Sequence, residues 1–189
     1  MLKKYSMLLF IGWLFFGVVL AGEGVDYSTK SLYKSLQKLG VSNVSALEEI
    51  AFSASLKLSS PVNGKFFLIK ENNAQNHRYL YVGRVNSCRA GGCSNPSQQP
   101  THGECEYFDY YILFDGQKQV QTVSIFNYQA SHGHDISAKG WLKQFVGYDG
   151  SVPLQVDKNI DAISGATISV QAITADVGLK TALLHKLRP

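Results

Sequence analysis

The sequence predicts an α+β domain, an antiparallel sheet of about four to six strands with helices before it and one helix after it. Three observations carry this. Runs of β-branched and aromatic residues between positions 65 and 128 are separated by polar turns. Both ends of the chain show apolar residues at helical spacing instead. Strand and helix signals do not alternate, which removes the βαβ units of a parallel sheet.

The 189 residues suffice for one domain plus a leader, and 45% hydrophobic with 17% charged residues describes a foldable chain. The formal charge of +4 includes Lys3 and Lys4, and no basic run resembles a nucleic-acid stripe, so nucleic acid is not expected as a partner. Residues 1–21 read as a secretory signal peptide. Lys3 and Lys4 form a positive start, Met7–Leu20 an apolar stretch, and Val19-Leu20-Ala21 a cleavage site before Gly22. That stretch is shorter than the roughly 20 residues a spanning helix needs, so cleavage is favoured over an N-terminal membrane anchor. The mature protein is then expected outside the cytoplasm, periplasmic or associated with the cell surface.

Residues 22–60 read as a helical segment. Ser28 or Thr29 caps a helix that places Leu32, Leu36 and Leu39 on one face and stops at Gly40. Ser45 and Glu48 have capping-box spacing, which predicts a second short helix. Strands follow at Lys65–Lys70 and Arg78–Val85, joined by the polar turn Asn72–Asn76. Glu106–Phe114 and Val120–Tyr128 form a hairpin around Asp115-Gly116, and a shorter strand is expected at Val152–Val156. Arg89–Gly103 is a long Gly/Ser/Gln/Pro-rich loop. It is flanked and crossed by Cys88, Cys93 and Cys105. In an exported chain these are expected to pair, Cys88 with Cys93 as the guess and Cys93 with Cys105 as the alternative. A metal site with His102 as fourth ligand is a further alternative.

Two stretches carry chemistry. Asn127–Asp135 is polar and contains His132, Gly133 and His134; a short amphipathic helix follows near Trp141, with Gln144-Phe145 at its end. His132, His134 and Asp135 would share a metal if extended, whereas Trp141 and Phe145 at helical spacing read first as core. The second stretch is Asp161-Ala162-Ile163-Ser164-Gly165-Ala166-Thr167, followed by a helix over Ile168–Leu187. Small residues at a helix start let backbone amides approach an anion closely, and the helix dipole favours a phosphate there. The plain alternative is a Ser N-cap with a Gly-Ala turn. Hydrolytic and dinucleotide signatures such as Gly-x-Ser-x-Gly, His-Glu-x-x-His and Gly-x-Gly-x-x-Gly are absent.

The seven residues together resemble the Asp-x-x-Ser/Thr-Gly-Ala-Thr/Ser attachment motif of the FMN-binding domain family, which includes flavin subunits of sodium-pumping NADH:quinone reductases and Rnf-type complexes. His132, Gly140 and Gln144-Phe145 extend the likeness over roughly residues 78–186. The family's Glu-Thr-Pro-Gly core is replaced here by His134–Lys139, which points to a variant branch. The resemblance implies an FMN-binding domain over 61–189, with FMN joined by a phosphoester to Thr167 and contacted by Asp161, Ser164, Gly165 and Ala166. Tyr128 and Trp141 would offer ring faces, with His132, His134, Lys139 and Gly140 along the ring edge. It further implies maturation by an FAD-dependent flavin transferase, a membrane or extracytoplasmic redox partner, and electron transport rather than turnover of a small-molecule substrate. A non-catalytic cell-surface interaction module, or a metal-binding protein using His132, His134 and Asp135, are the rival readings.

Overall fold

The computed structural model of the chain describes residues 24–41, 47–51, 63–70, 77–87 and 106–187. The expected signal peptide, the Asn72–Asn76 turn, His102 and the three cysteines, with their pairing, lie outside the described residues.

Helix α1 (Lys30–Lys38) starts as its sequence requires: the Thr29 hydroxyl accepts the Leu32 N–H at 3.2 Å. It ends at Gly40, whose φ of +84° is the left-handed stop that glycine supplies. Five strands then form one antiparallel sheet in simple sequence order. They are β1 (Leu47–Ile50), β2 (Gly64–Ile69), β3 (His77–Asn86), β4 (Tyr107–Asp115) and β5 (Val120–Tyr128). After β5 come a 3-10 turn (His134–Ser137), the one-turn helix α2 (Lys139–Leu142), a second 3-10 turn (Lys143–Phe145), and the long α3 (Thr167–Lys186). The α+β expectation holds, with helices before and after a sheet of five strands among the described residues.

The sheet is covered on both faces. Leu80 and Val82 of β3, with Tyr111 and Leu113 of β4, meet Leu32 and Leu36 of α1. Their neighbours in sequence, Tyr79, Tyr81, Tyr110, Ile112 and Phe114, meet Val170, Ile173, Val177 and Leu184 of α3. Side chains alternate across a strand, so a strand buried on both faces must be apolar without interruption. That is why β3 and β4, at the centre, read as continuous aromatic and β-branched runs.

One polar bolt crosses three strands on the α1 face. Arg84 and Asp109 are register partners, as are Asp109 and Asn127. The guanidinium donates to both carboxylate oxygens of Asp109 at 2.7 and 3.1 Å, and Asn127 Nδ2 adds a third bond at 2.8 Å. Arg84 also lies over the Tyr107 ring at 3.5 Å. With Asp109 only 2% exposed, its charge depends on these donors.

Two expected elements differ. Ser45 lies outside the described residues, and Leu47–Ile50 is strand β1 rather than a second helix. The free edge of β2 supplies backbone partners, and Glu49–Lys65 and Glu48–Lys70 ion pairs, each at 2.7 Å, tie the edge together. So short a stretch gains little from a capping signal against such pairing. Val152–Val156 forms no strand; only a single bridge joins Val156 to Ile160. Pro153 lacks an N–H, and the Gln155 carbonyl gathers the N–H groups of Lys158, Asn159 and Ile160 into a tight loop.

Asp109→Leu would take the carboxylate partner from Arg84 in a mostly buried place. It should destabilise the fold by about 3–5 kcal/mol, read as a lower urea midpoint. Burial, reinforced by the Asp176 carboxylate, raises the Tyr81 and Tyr110 hydroxyls above their ordinary 10.0. The folded state then holds protons that the unfolded state releases, so stabilisation present below pH 10 is lost as pH rises beyond it. Urea titrations at stepped alkaline pH should show falling midpoints, with tyrosinate absorbance of these residues appearing only on unfolding.

Candidate functional site

Helix α3 begins at Thr167, and no side chain caps it. A helix start leaves its first N–H groups without intrahelical acceptors, so this one is open to an external anion. Ser164 and Gly165 turn the chain into the helix, Gly165 with φ +80°, and Ala166 N–H closes the turn on the Ile163 carbonyl at 3.1 Å. Ala166 is buried, while Ser164, Gly165 and Thr167 are exposed. The Thr167 hydroxyl is therefore accessible on a backbone held from below.

The approach to the tetrad is held as firmly. The Gln144 side-chain oxygen accepts the Asp161 N–H at 2.8 Å, and the Trp141 indole donates to the Asp161 carbonyl at 2.9 Å. Gln144 Nε2 completes the clamp, donating to the Trp141 carbonyl at 3.1 Å. Trp141 also packs edge-on against the buried Phe145, their centroids 5.5 Å apart. Trp141 and Gln144 thus act on the motif through its backbone, and the Asp161 side chain stays exposed.

Thr167 lies in a groove of about 550 Å³, lined by Gly165–Ser169, Ser87, Glu106, Ser131 and His132. Its floor is a chain of hydroxyls: Ser87 Oγ and Ser169 Oγ lie 2.7 Å apart, and Tyr128 Oη lies 3.1 Å from Ser169 Oγ while donating to the His132 carbonyl at 2.6 Å. Burial raises the Tyr128 hydroxyl above its ordinary value, so it stays a donor at neutral pH. On the opposite wall, Glu106 accepts the Ser131 N–H at 3.1 Å and its hydroxyl. Gly133 closes the wall with φ +83°; a Cβ there would stand 2.7 Å from Ser169 Oγ.

Of the residues the sequence singled out, the structure brings His132, Gly165, Ala166 and Thr167 into one groove, with Ser164 and Asp161 leading into it. Tyr128 lies beneath, stacked on Phe108 at 5.7 Å with His134 against its edge at 5.1 Å, so both flanks of its ring are engaged. Lys139 is elsewhere, lining a second groove with α1. Gly140 is exposed and has no close neighbours that a Cβ would meet. His134 starts a 3-10 turn after the left-handed Gly133, so His132 and His134 are not on one extended face. No metal-holding cluster of three His, Cys, Asp or Glu occurs among the described residues. Ser87, Ser169 and Glu106 were not legible as site residues. Only Ser169, two residues past the tetrad, carries a signal, as a hydroxyl at a helix start.

Fold and site together define a class: a meander sheet bearing a long helix with an uncapped, small-residue N-terminus that opens onto a groove. Residues 107–179 match the family model of the FMN-binding domain. The matched span runs from the first residue of β4 into α3, and takes in the loop, the clamp and the tetrad. This span is similar to the FMN-binding domain, and it is narrower than the likeness over 78–186 that the sequence suggested. No curated protein and no solved structure matches the chain.

Gly133→Ala should cost about 1–3 kcal/mol from left-handed strain and more from the contact with Ser169. Gly147→Ala, at φ +87° with open space around it, carries the strain alone. Chemical unfolding of both should rank Gly133→Ala as clearly the less stable.

Proposed function

We propose that this protein is an exported electron-transfer flavoprotein carrying FMN as a phosphoester on Thr167 Oγ1. The observation that supports it best is an exposed threonine hydroxyl as first residue of an uncapped 20-residue helix, inside a groove large enough for a cofactor. Bound FMN would accept and release one or two electrons. The N–H groups of the first turn of α3 would hold the phosphate, whose charge the helix dipole favours. Gly165 keeps side-chain bulk away from it. Asp161, fixed through its backbone by Trp141 and Gln144, stands exposed before the tetrad, where a flavin transferase using FAD could read it together with Ser164. The N–H and hydroxyl of Ser131 engage the Glu106 carboxylate, which lessens its repulsion of a phosphate across the groove.

Export rests on residues 1–21, where two lysines precede the apolar stretch and small-residue cleavage site. Outside the cytoplasm a covalent bond prevents loss of the cofactor by dissociation. The redox partner would then be a membrane or extracytoplasmic protein.

Thr167→Val, coexpressed with a flavin transferase, should lack the added mass of FMN minus water that the unaltered protein gains on its Thr167 peptide. Circular dichroism should be unchanged, because the side chain is exposed. Flavin that survives denaturation of Thr167→Val would overturn the attachment, and an unmodified mass for the coexpressed parent would overturn the carrier reading.

A further inference from the structure

The second groove, about 340 Å³, opens along β5 between the last turn of α1 and the α2 segment, and shares no lining residue with the first. Three cations line it: Lys38 from α1, and Lys139 and Lys143 from the α2 region. All three are exposed, no acidic residue lines the groove, and none of the three forms an ion pair among the described residues. Lys38 complements the C-terminus of α1, but Lys139 and Lys143 are like charges four apart and repel each other. Between them the wall is apolar. Leu142 is 3% exposed, whereas Val146 is 49% exposed and stands among the few large apolar side chains left open to solvent. The hydroxyls of Thr122 and Ser124 on β5 add hydrogen-bonding capacity.

We propose that this groove binds an amphipathic organic anion: a compact apolar or aromatic body against Leu142 and Val146, with a carboxylate or phosphate among the three lysines. Its volume lies in the range of small-molecule sites, and its lining joins a small apolar patch to hydroxyls and ammonium groups. An anion there relieves the repulsion between Lys139 and Lys143, while an apolar body removes Val146 from water. Charge selects the ligand and the wall holds it. The inference stands apart from the flavin reading, because the two grooves are separate.

The test is an amide NMR titration of the purified protein with 2-naphthoate, 2-naphthyl phosphate and the neutral 2-naphthamide. The two anions should bind saturably, shifting the amides of Thr122, Leu142 and Val146, and bind roughly tenfold or more tighter than the amide. The combined Lys38→Gln, Lys139→Gln and Lys143→Gln variant should keep its dispersed spectrum and lose that preference. Equal binding of anions and amide, shifts centred on Thr167–Ser169 instead, or no saturation by either anion would overturn the proposal. So would shifts at this groove that grow with protein concentration alone, which would make a second copy the occupant. The failure of flavin attachment to Thr167 would leave these outcomes unchanged.

Discussion

The Asp176 carboxylate fastens helix α3 to the sheet, taking hydrogen bonds from Lys180 Nζ at 2.7 Å and from the Tyr110 hydroxyl at 2.5 Å. Lys180 is only 4% exposed, a costly place for an ammonium unless a carboxylate meets it. Tyr81, whose ring lies 5.5 Å below that ammonium, offers its π face as a further partner. The apolar row Val170, Ile173, Val177 and Leu184 supplies the adhesion, but an apolar row alone would tolerate sliding along an aromatic sheet. A charge pair with a short hydrogen bond to a strand does not. It sets the register of α3 on β4, and hence where the first turn of the helix projects.

Everything at the groove depends on that register. Ser169 reaches Ser87 and Tyr128 only because the helix start lies over the ends of β3 and β5. Gly133 is pressed against Ser169 from the other side, so the His132 loop and the helix start are set with respect to each other. The Trp141–Gln144 clamp on Asp161 works at a distance from the hydroxyl it positions. The result is a rigid frame around an exposed and unencumbered Thr167. The proposed attachment of FMN would use this combination: an exposed hydroxyl on a backbone that does not have to reorganise when an anion arrives.

The same architecture leaves the two faces of the domain with different chemistry. The groove at α3 offers backbone amides, hydroxyls and a carboxylate already engaged by Ser131. The groove along β5 offers three exposed ammonium groups beside an apolar patch. Backbone donors suit an anion fixed in one geometry, whereas lysines suit one that must be attracted and released, since their long stems adapt and their charge reaches further.

Much of this was legible in the chain itself. The first helix after Ser28 or Thr29, the last helix beginning within a residue of Ile168, the four longer strands, the stop at Gly40 and the anion-suited tetrad each follow from local rules, because capping, turn chemistry and side-chain period act over a few residues. The neighbours of the tetrad were less so. Lys139 was expected at the flavin edge, yet the one-turn α2 directs it to a groove with α1, a matter of how two elements meet. Leu47–Ile50 carried a helix signal and became a strand because β2 had an open edge to pair. Ser87 and Glu106, far apart in sequence and alike to any polar residues at strand ends, entered the site only when β3, β4 and α3 met. The sequence by itself determined most of the elements and placed a threonine at the start of α3; the packing of α3 on the sheet decided the surroundings of that threonine, since those contacts span some 60 to 80 positions and no local pattern encodes them.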